Sequence, residues 1–210
     1  MARSADYRSS DHIPATAHAD AYTRPAFSFG NRSRRLLWNV CWLLLYRTSP
    51  RPLHRWRAAL LRAFGAKLGA DCHFYPASKV WAPWNLVCAD HVAAADGAEI
   101  YNPSPIRMDS HVILSQQAYL CGATHDYNHP HFPLLAYSMH IERYAWICAR
   151  ASVAPGVHVG EGAVLGLASV ATRDLQPWTV YSGHPAEAVR ERTRTIPPSL
   201  APSAPEVGNA

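Results

Sequence analysis

Aliphatic residues recur at every sixth position in the C-terminal half of the chain. In the stretch IERYAWICARASVAPGVHVGEGAVLGLASV the repeating positions are Ile141, Ile147, Val153, Val159 and Leu165. A helix would repeat its apolar positions about every 3.6 residues, and an ordinary strand every two. A period of six fits neither, and it indicates short strands that are joined by tight corners.

The same frame extends upstream in groups of three hexads. The hexads LGADCH, FYPASK and VWAPWN are followed by CADHVA, AADGAE and IYNPSP, and then by MDSHVI, LSQQAY and LCGATH. Three hexads make one triangular coil, in which the aliphatic first position points inward and small residues near the corners allow sharp turns. A single coil cannot bury its own apolar face, so the coils must stack. The pattern predicts a mainly β fold, with a parallel β-helix over residues 68–176.

A helical periodicity precedes the hexads, in residues 26–67. Its apolar positions form one stripe along a helix, namely Leu53, Trp56, Leu60, Leu61 and Phe64. Ser49 and Pro50 are predicted as the N-cap and first helical residue, and Gly65 as the end. The stripe favours ordinary packing of a helical segment against the rest of the protein. The flanking arginines leave a second interpretation open, a peripheral contact with the anionic inner membrane surface.

The two ends of the chain show neither period. Residues 1–25 are polar and are predicted to be a disordered tail, and residues 177–210 are predicted to be a C-terminal extension with a short helix. Twin arginines precede an apolar run at residues 36–46, which is shorter than the roughly 20 residues that span a bilayer. No small-residue cleavage site follows the run, so we expect neither an export signal nor a membrane span there.

Charge and cysteine content restrict the setting in which the chain works. The 210 residues carry a formal net charge of +5. This charge favours anionic partners such as phosphates, nucleotides and acidic lipids, but it is too mild to indicate a nucleic-acid partner. The five cysteines lack paired short spacing and predict neither a disulfide framework nor a zinc site. We therefore expect reduced thiols and a cytoplasmic protein.

Several stretches resemble a known family. They are SPRPLHRWRAALLRAFGAKLG, VWAPWNL, AYLCGATHDYNHPHFPL, AWICARASVAPGVHVGEGAVLGLASVATRDL and PWTVYSGHPAEAVRER. The hexads resemble the hexapeptide-repeat acyltransferase superfamily, and the loop THDY…FPL and the tail GHPA resemble its colanic acid biosynthesis acetyltransferase group. The resemblance implies a left-handed parallel β-helix, acetyl-CoA as donor, and a homotrimer with a cleft between neighbouring subunits.

The hexads run to His125 and resume at Ile141, so residues 126–140 form an excursion from the coil. Loops on rigid scaffolds commonly carry function. Acyl transfer from a thioester to a hydroxyl needs a base, and histidine suits this role because its unperturbed pKa lies near 6.5. His125 matches the family's catalytic histidine, which implies direct transfer with His125 as general base. Its neighbour Asp126 is a candidate to orient the ring and to contact substrate.

His125, His129 and His131 lie close together in the sequence, which leaves a metal site open. Some hexapeptide-repeat proteins resemble carbonic anhydrases, in which three histidines hold zinc. Such ligands sit on rigid elements with their second nitrogens held, whereas Pro130 separates His129 from His131 in a loop. The sequence therefore favours polar loop residues at these two positions, and no metal is expected.

The resemblance also assigns residues to the donor. Acetyl-CoA carries three phosphates, so its cleft needs cations and hydrogen-bond donors. The positions that match the family's CoA contacts are Ala149, Leu167, Thr172, Arg173 and Arg190. Arg173 stands where the family usually has lysine, and Glu187 stands where it often has a basic residue. A solvated face of the C-terminal helix is the alternative role for Arg190.

The acceptor side is less specified. Tyr101, Asn102 and Tyr127 are candidates to hydrogen-bond a sugar, while Trp81 and Trp84 could stack on one or pack under the N-terminal helices. The expected acceptor is a sugar or lipid-linked sugar in exopolysaccharide biosynthesis. Two other functions stay open: a catalytically degenerate β-helix that only binds, since several inner hexads are eroded, and a metal-dependent, carbonic-anhydrase-like hydratase.

Overall fold

The computed structural model describes Ile13–Pro14 and residues 26–194. Helix α1 spans Phe29–Cys41 and continues into a π-helical turn at Trp42–Tyr46, and α2 spans His54–Ala63. A 3₁₀ turn at Pro83–Asn85 joins the first coil to the second.

Short strands, with the turns between them, make up the rest of the described chain. In chain order they are β1 (Ile13–Pro14), β2 (Lys67–Leu68), β3 (His73–Phe74), β4 (Lys79–Val80), β5 (Leu86–Cys88), β6 (Ala93–Ala94), β7 (Glu99–Tyr101), β8 (Ile106–Met108), β9 (Ile113–Leu114), β10 (Tyr119–Cys121), β11 (Ala123–His125), β12 (Leu134–Ala136), β13 (Met139–Ile141), β14 (Trp146–Ile147), β15 (Ser152–Val153), β16 (Val164–Leu165), β17 (Val170–Ala171), β18 (Thr179–Ser182) and β19 (Glu187–Glu191).

Three sheets of parallel strands form the faces of a β-solenoid with about six turns. The first face contains β2, β5, β8 and β13, the second contains β3, β6, β9, β14, β16 and β18, and the third contains β4, β7, β10, β15 and β17. Single bridges from Ile141 to Val159 and from Val159 to Leu175 extend the first face by two coils. The solenoid therefore begins and ends slightly outside the predicted range of 68–176.

The aliphatic hexad positions form the core, as the sequence predicted. Ile141, Ile147, Val153, Val159 and Leu165 all have an exposed fraction of 0%. Positions one coil apart stack directly, since Ile147 pairs with Leu165 and Ile141 with Val159. Each inward side chain thus packs on its counterpart in the next coil, which is how a period of six builds a core.

The N-terminal helices cover the first coil. Trp38, Tyr46 and Leu61 are buried in the same core as the strands, while Leu53 and Trp56 stay 45% and 44% exposed. The predicted start of α2 is wrong, because the helix begins at His54 and the Ser49 hydroxyl instead donates to the carbonyl oxygen of Tyr46. Gly65 adopts a φ of +98° just after α2, which confirms it as the end of the helix.

A hairpin replaces the predicted C-terminal helix within the described residues. β18 pairs in parallel with β16 and so continues the second face, and β19 folds back antiparallel on β18. A short isolated helix is marginal in water, whereas β18 offers these residues an edge with which to pair, so tertiary context overrides local pattern. Residues 195–210 lie outside the described residues.

The excursion also begins earlier than predicted. The chain leaves the coil at Ala123, because β11 pairs antiparallel with β12 instead of stacking on the solenoid, and it rejoins the first face at Met139. Ile13–Pro14 adds a further antiparallel strand to β12. Apart from those two residues, the predicted tail at 1–25 lies outside the described residues.

Candidate active site

His125 lies at the end of β11, on the hairpin that leaves the solenoid between its third and first faces. Gly122 makes this departure possible. Its N–H donates to the carbonyl oxygen of Tyr101 at 2.7 Å, and a Cβ at this position would collide with that oxygen. The side chain of His125 is exposed, so its ring is accessible to a substrate.

The ring of His125 is held by a backbone carbonyl. Its Nδ1 atom lies 2.6 Å from the carbonyl oxygen of Phe132. Since a carbonyl oxygen only accepts hydrogen bonds, Nδ1 carries the proton and donates it. In the neutral imidazole the lone pair then belongs to Nε2, which is the arrangement a general base requires.

Asp126 has a different contact from the one expected. Its Oδ1 atom accepts a hydrogen bond from the N–H of Asn128 at 3.0 Å, which closes a turn at the tip of the hairpin. The backbone carbonyl of Phe132, rather than the Asp126 carboxylate, thus orients His125. Tyr127 next to it is 80% exposed and stays a candidate for contact with an acceptor.

The three loop histidines do not form a ligand cluster among the described residues. The Nδ1 atom of His129 accepts a hydrogen bond from the N–H of His131 at 3.2 Å. Within residues 26–194, the group with metal-ligating geometry is instead His140, Glu142 and His158, on the first face. There His158 lies 3.1 Å from Glu142, and His140 lies 2.9 Å from Asp109, so each ring already has a carboxylate partner.

The residues assigned to CoA border the third face. Ala149 and Leu167 lie in consecutive coils at the corner between the second and third faces, where the N–H of Ala168 donates to the carbonyl oxygen of Ala149 at 2.9 Å. Thr172 and Arg173 lie at the opposite corner, directly after β17. His125 leaves from that same corner two coil steps earlier, a rise of about 10 Å.

Small side chains line the third face between these corners. Val153 and Ala171 point into the core, so their neighbours point outward, namely Ser152, Ala154, Val170 and Thr172, with Val170 paired directly with Ser152. Small outward side chains let an extended ligand approach the backbone closely. The third face of the later coils thus provides a shallow, narrow surface between Leu167 on one side and Arg173 on the other.

Arg190 is placed apart from this surface. It lies on β19, opposite Val180 of β18, and so belongs to the edge of the second face. Both Arg173 and Arg190 are exposed. They stand on either side of the corner that Ala149 and Leu167 define, and the structure does not bring them together at one point.

Asn102 is not an acceptor contact. It has an exposed fraction of 0%, and its amide both accepts from the N–H of Ala82 at 2.9 Å and donates to the Ala82 carbonyl oxygen at 2.8 Å. The side chain ties consecutive coils together. The prediction of a sugar contact at Asn102 is therefore wrong.

Tyr101 and the two tryptophans lie under the N-terminal helix. The ring of Trp81 meets Tyr101 edge-on at 5.4 Å, and the Arg35 guanidinium lies 4.0 Å above the ring of Trp81. Arg34 stacks in the same way on Trp84 at 4.3 Å. Burial raises the pKa of the Tyr101 hydroxyl, which keeps it protonated and able to donate. Packing under the helix, the second of the two interpretations, accounts for both tryptophans.

The sequence of this chain is similar to those of known proteins. It is 36% identical over 169 residues to the colanic acid biosynthesis acetyltransferase WcaF of Escherichia coli K12, and the match covers 80% of this chain and 93% of that protein. The chain belongs to this acetyltransferase family. A shorter stretch of 47 residues is 40% identical to a chloramphenicol acetyltransferase of Agrobacterium fabrum and covers 22% of each protein. A comparison with models of protein families gives no match.

Solved structures share the fold of this family member. A hexapeptide-repeat acetyltransferase of Vibrio cholerae aligns with a TM-score of 0.73 at 19% identity, over 87% of this chain and 96% of that one. A galactoside acetyltransferase in complex with coenzyme A also aligns with a TM-score of 0.73, at 20% identity, over 80% of this chain and 84% of that one. At these identities the likeness concerns the fold.

The contact that the sequence did not indicate in this acetyltransferase is the carbonyl oxygen of Phe132. A backbone atom has no signature in the sequence, because any residue at 132 would supply it. A φ of +44° at Phe132 shows the bend that brings this carbonyl toward His125. The only available signal was the pair of prolines, Pro130 and Pro133, which indicates a turn without giving its geometry.

Proposed function

We propose that this protein is an acetyl-CoA-dependent O-acetyltransferase that acts on a sugar hydroxyl in exopolysaccharide biosynthesis. The observation that carries the proposal is the hydrogen bond between His125 and the Phe132 carbonyl, which leaves Nε2 free to accept a proton. Membership of the WcaF family supports the activity and the pathway class. Solved relatives of the same fold support the donor, since they include an acetyltransferase in complex with acetyl coenzyme A.

The chemical step follows from the tautomer of His125 that carries its proton on Nδ1. Nε2 of His125 takes the proton of the acceptor hydroxyl as its oxygen attacks the carbonyl carbon of the thioester. A new C–O bond forms, the C–S bond breaks, and the departing thiolate of CoA receives the proton from the imidazolium. Transfer is direct, with no acyl-enzyme, and the neutral imidazole is restored at the end of each cycle.

The donor is expected to lie along the third face. Ala149 and Leu167 would contact the pantetheine arm, where the small outward residues Ser152 and Ala154 permit close approach. Thr172 and Arg173 lie at the far corner, where a guanidinium could pair with a phosphate. Arg190 stands on the second face, across the corner that Ala149 and Leu167 define. A cleft between subunits would allow one bound CoA to meet residues that a single chain holds apart.

We therefore infer a homotrimer in the cytoplasm. Outward aromatic side chains such as Tyr119 and Trp146, the latter 42% exposed, are suited to contacts between solenoids. Multi-angle light scattering is expected to give three times the chain mass of 23.2 kDa. A stable monomer that is fully active would contradict the shared cleft.

The experiment for the activity is release of CoA thiol from acetyl-CoA in the presence of sugar nucleotides and lipid-linked sugars. We expect one acceptor class to accelerate release well above hydrolysis, and the product to carry an ester-linked acetyl group by mass spectrometry. His125→Ala serves as the inactive control. Tight binding of acetyl-CoA without turnover on any acceptor would favour the degenerate binding module instead.

A further inference from the structure

One side of α1 and of the π-helical turn is both apolar and exposed. The aliphatic stripe, as we name it, consists of Leu36, Leu37, Val40, Leu43 and Leu44. Each of these side chains is between 50% and 65% exposed. Monomeric proteins rarely expose contiguous apolar surface of this extent unless the surface binds something.

The stripe is not needed for the core. The opposite side of the same helical segment already packs inward through Trp38 and Tyr46, which are 1% and 0% exposed. Trp38 is anchored further by a 2.7 Å hydrogen bond from its Nε1 to the carbonyl oxygen of Val80. The segment therefore has two apolar sides, and only one of them is used by the fold.

Part of α2 continues the exposed surface. The Nε1 atom of Trp56 donates to the carbonyl oxygen of Leu45 at 3.1 Å, so the first turn of α2 lies beside the end of the stripe. Trp56 itself is 44% exposed. A tryptophan with an apolar ring and a satisfied N–H is typical of surfaces that lie at the boundary between water and hydrocarbon.

The charge of this region is entirely positive. Residues 21–70 contain 10 of the 20 lysines and arginines of the chain and none of its 15 acidic residues. Exposed arginines stand at both ends of the stripe, Arg32 before it and Arg47 after it. An apolar stripe with cations around it complements an anionic lipid surface, on which each basic residue adds to binding.

We propose that the aliphatic stripe lies flat on an anionic phospholipid bilayer, with Arg32, Arg47 and Arg55 at the level of the headgroups. None of the helices within the described residues is long and apolar enough to cross a membrane, so the contact is interfacial. A second copy of the chain fits the stripe less well, because two such faces would bring the exposed arginines around one stripe, Arg32, Arg47 and Arg55, against the same arginines of the other. The proposal does not depend on acetyl transfer.

The test is sedimentation of the full chain with vesicles, with no donor or acceptor present. We expect binding to vesicles of phosphatidylcholine mixed with phosphatidylglycerol and little binding to phosphatidylcholine alone. Added salt should weaken binding, because it screens exposed charges. Equal binding to both vesicle types, or to neither, would overturn the proposal.

Matched variants locate the surface. Leu37→Ser combined with Leu44→Ser should weaken binding at least about tenfold, whereas Val189→Ser should not, although Val189 is 59% exposed and Leu44 is 61% exposed. Arg32→Gln with Arg47→Gln should weaken it by about fivefold per arginine. The control of equal charge is Arg107→Gln on the first face with Arg143→Gln at the corner that follows it; both arginines are exposed.

The same variants distinguish a stripe that binds a membrane from a stripe that binds a second copy of the chain. If the serine variants lower the oligomer mass in the absence of lipid, or if the control variants weaken vesicle binding as much as the stripe variants, the stripe is not a lipid surface. Thermal unfolding of every variant shows that it is folded before binding is compared. Failure of acetyl transfer would leave these results unchanged.

Discussion

The rings of His111 and Tyr144 stack almost in parallel, with an interplanar angle of 4° and centroids 5.0 Å apart. Both residues occupy the corner between the first and second faces, and both have left-handed backbones, with φ of 62° and 60°. His91 stacks on His111 from the preceding coil at 4.8 Å. The corner geometry thus places successive rings above one another along the solenoid.

Replacing His111 should make stability less sensitive to acid. Burial, reinforced by the nearby His91, lowers the pKa of His111 in the folded chain. The folded state then binds fewer protons than the unfolded state, so stability falls as the pH drops below about 6.5 and levels off below the folded pKa. Asparagine tolerates a left-handed backbone better than most residues, so His111→Asn should keep the corner. The melting temperature of this variant should fall less on acidification.

Some acid sensitivity should persist in that variant. Burial also lowers the pKa of His54, which acts in the same direction. The exposed loop histidine provides the control, since His131→Asn should melt as the wild type does at every pH. If acid lowers the melting temperature of His111→Asn as much as that of the wild type, the stacked corner does not contribute to the acid sensitivity of stability.

Removing the imidazole at position 125 should abolish most turnover. We expect His125→Ala to lower kcat by about a hundredfold or more, the usual contribution of a general base, with little change in acetyl-CoA binding. In the proposed mechanism Nε2 acts on the acceptor proton and contacts no part of the donor in the ground state. Steady-state kinetics with isothermal titration of acetyl-CoA measure both quantities.

A second histidine of the same loop separates chemistry from loop structure. His131→Ala should retain wild-type turnover, because the His131 side chain is exposed and its contact to His129 uses the backbone N–H. Full activity of His125→Ala together with loss of activity in His131→Ala would show that the general base is a residue other than His125.

Arg173→Ala should raise the KM for acetyl-CoA more than it lowers kcat. A phosphate contact remote from the reacting carbonyl is held alike in ground and transition states. The effect should shrink with salt, since exposed charges are screened over about 8–10 Å. A truncated thioester without nucleotide phosphates should not distinguish the variant from the wild type. Arg143→Ala, which removes an exposed arginine paired with Glu161 at 3.0 Å, should leave KM unchanged.

Arg57 is expected to be essential for stability. Its guanidinium is 0% exposed and donates to the carbonyl oxygens of Phe74 at 2.6 Å and Pro50 at 2.8 Å, and to the Ser49 hydroxyl at 2.8 Å. Arg57→Met leaves these acceptors without a donor and should lower the free energy of unfolding by about 3 kcal/mol or more. Arg55→Met, at an exposed position, should cost less than about 0.5 kcal/mol by urea denaturation.

The sequence predicts the solenoid well because its signal is repeated. Ile141, Ile147 and Val153 indicate the same inward position in consecutive hexads, so an ambiguous assignment in one hexad is resolved by the others. The C-terminal hairpin has no such repetition. Glu187–Glu191 forms a strand only because β18 offers it an edge, and an edge is a property of the whole fold.

The site could be predicted as residue types but not as contacts. His125 was found from the break in the hexads and from its match to the family. Its partner at Phe132 is a backbone oxygen, and the burial of Asn102 depends on how one coil sits on the next, so neither could be read from the chain. Adjacent residues such as His125 and Asp126 need not interact, and here they have different partners.

The helical cap also determines where the solenoid stops. Phe74, Ser78 and Val80 point their carbonyl oxygens away from the second coil, toward the side where a further coil would dock. Side chains occupy these acceptors instead: Arg57 on Phe74, Trp42 on Ser78 and Trp38 on Val80. An open strand edge is a template for fibre growth between molecules. With these three acceptors filled by indole and guanidinium groups, the first coil is a poor template for a strand from another chain.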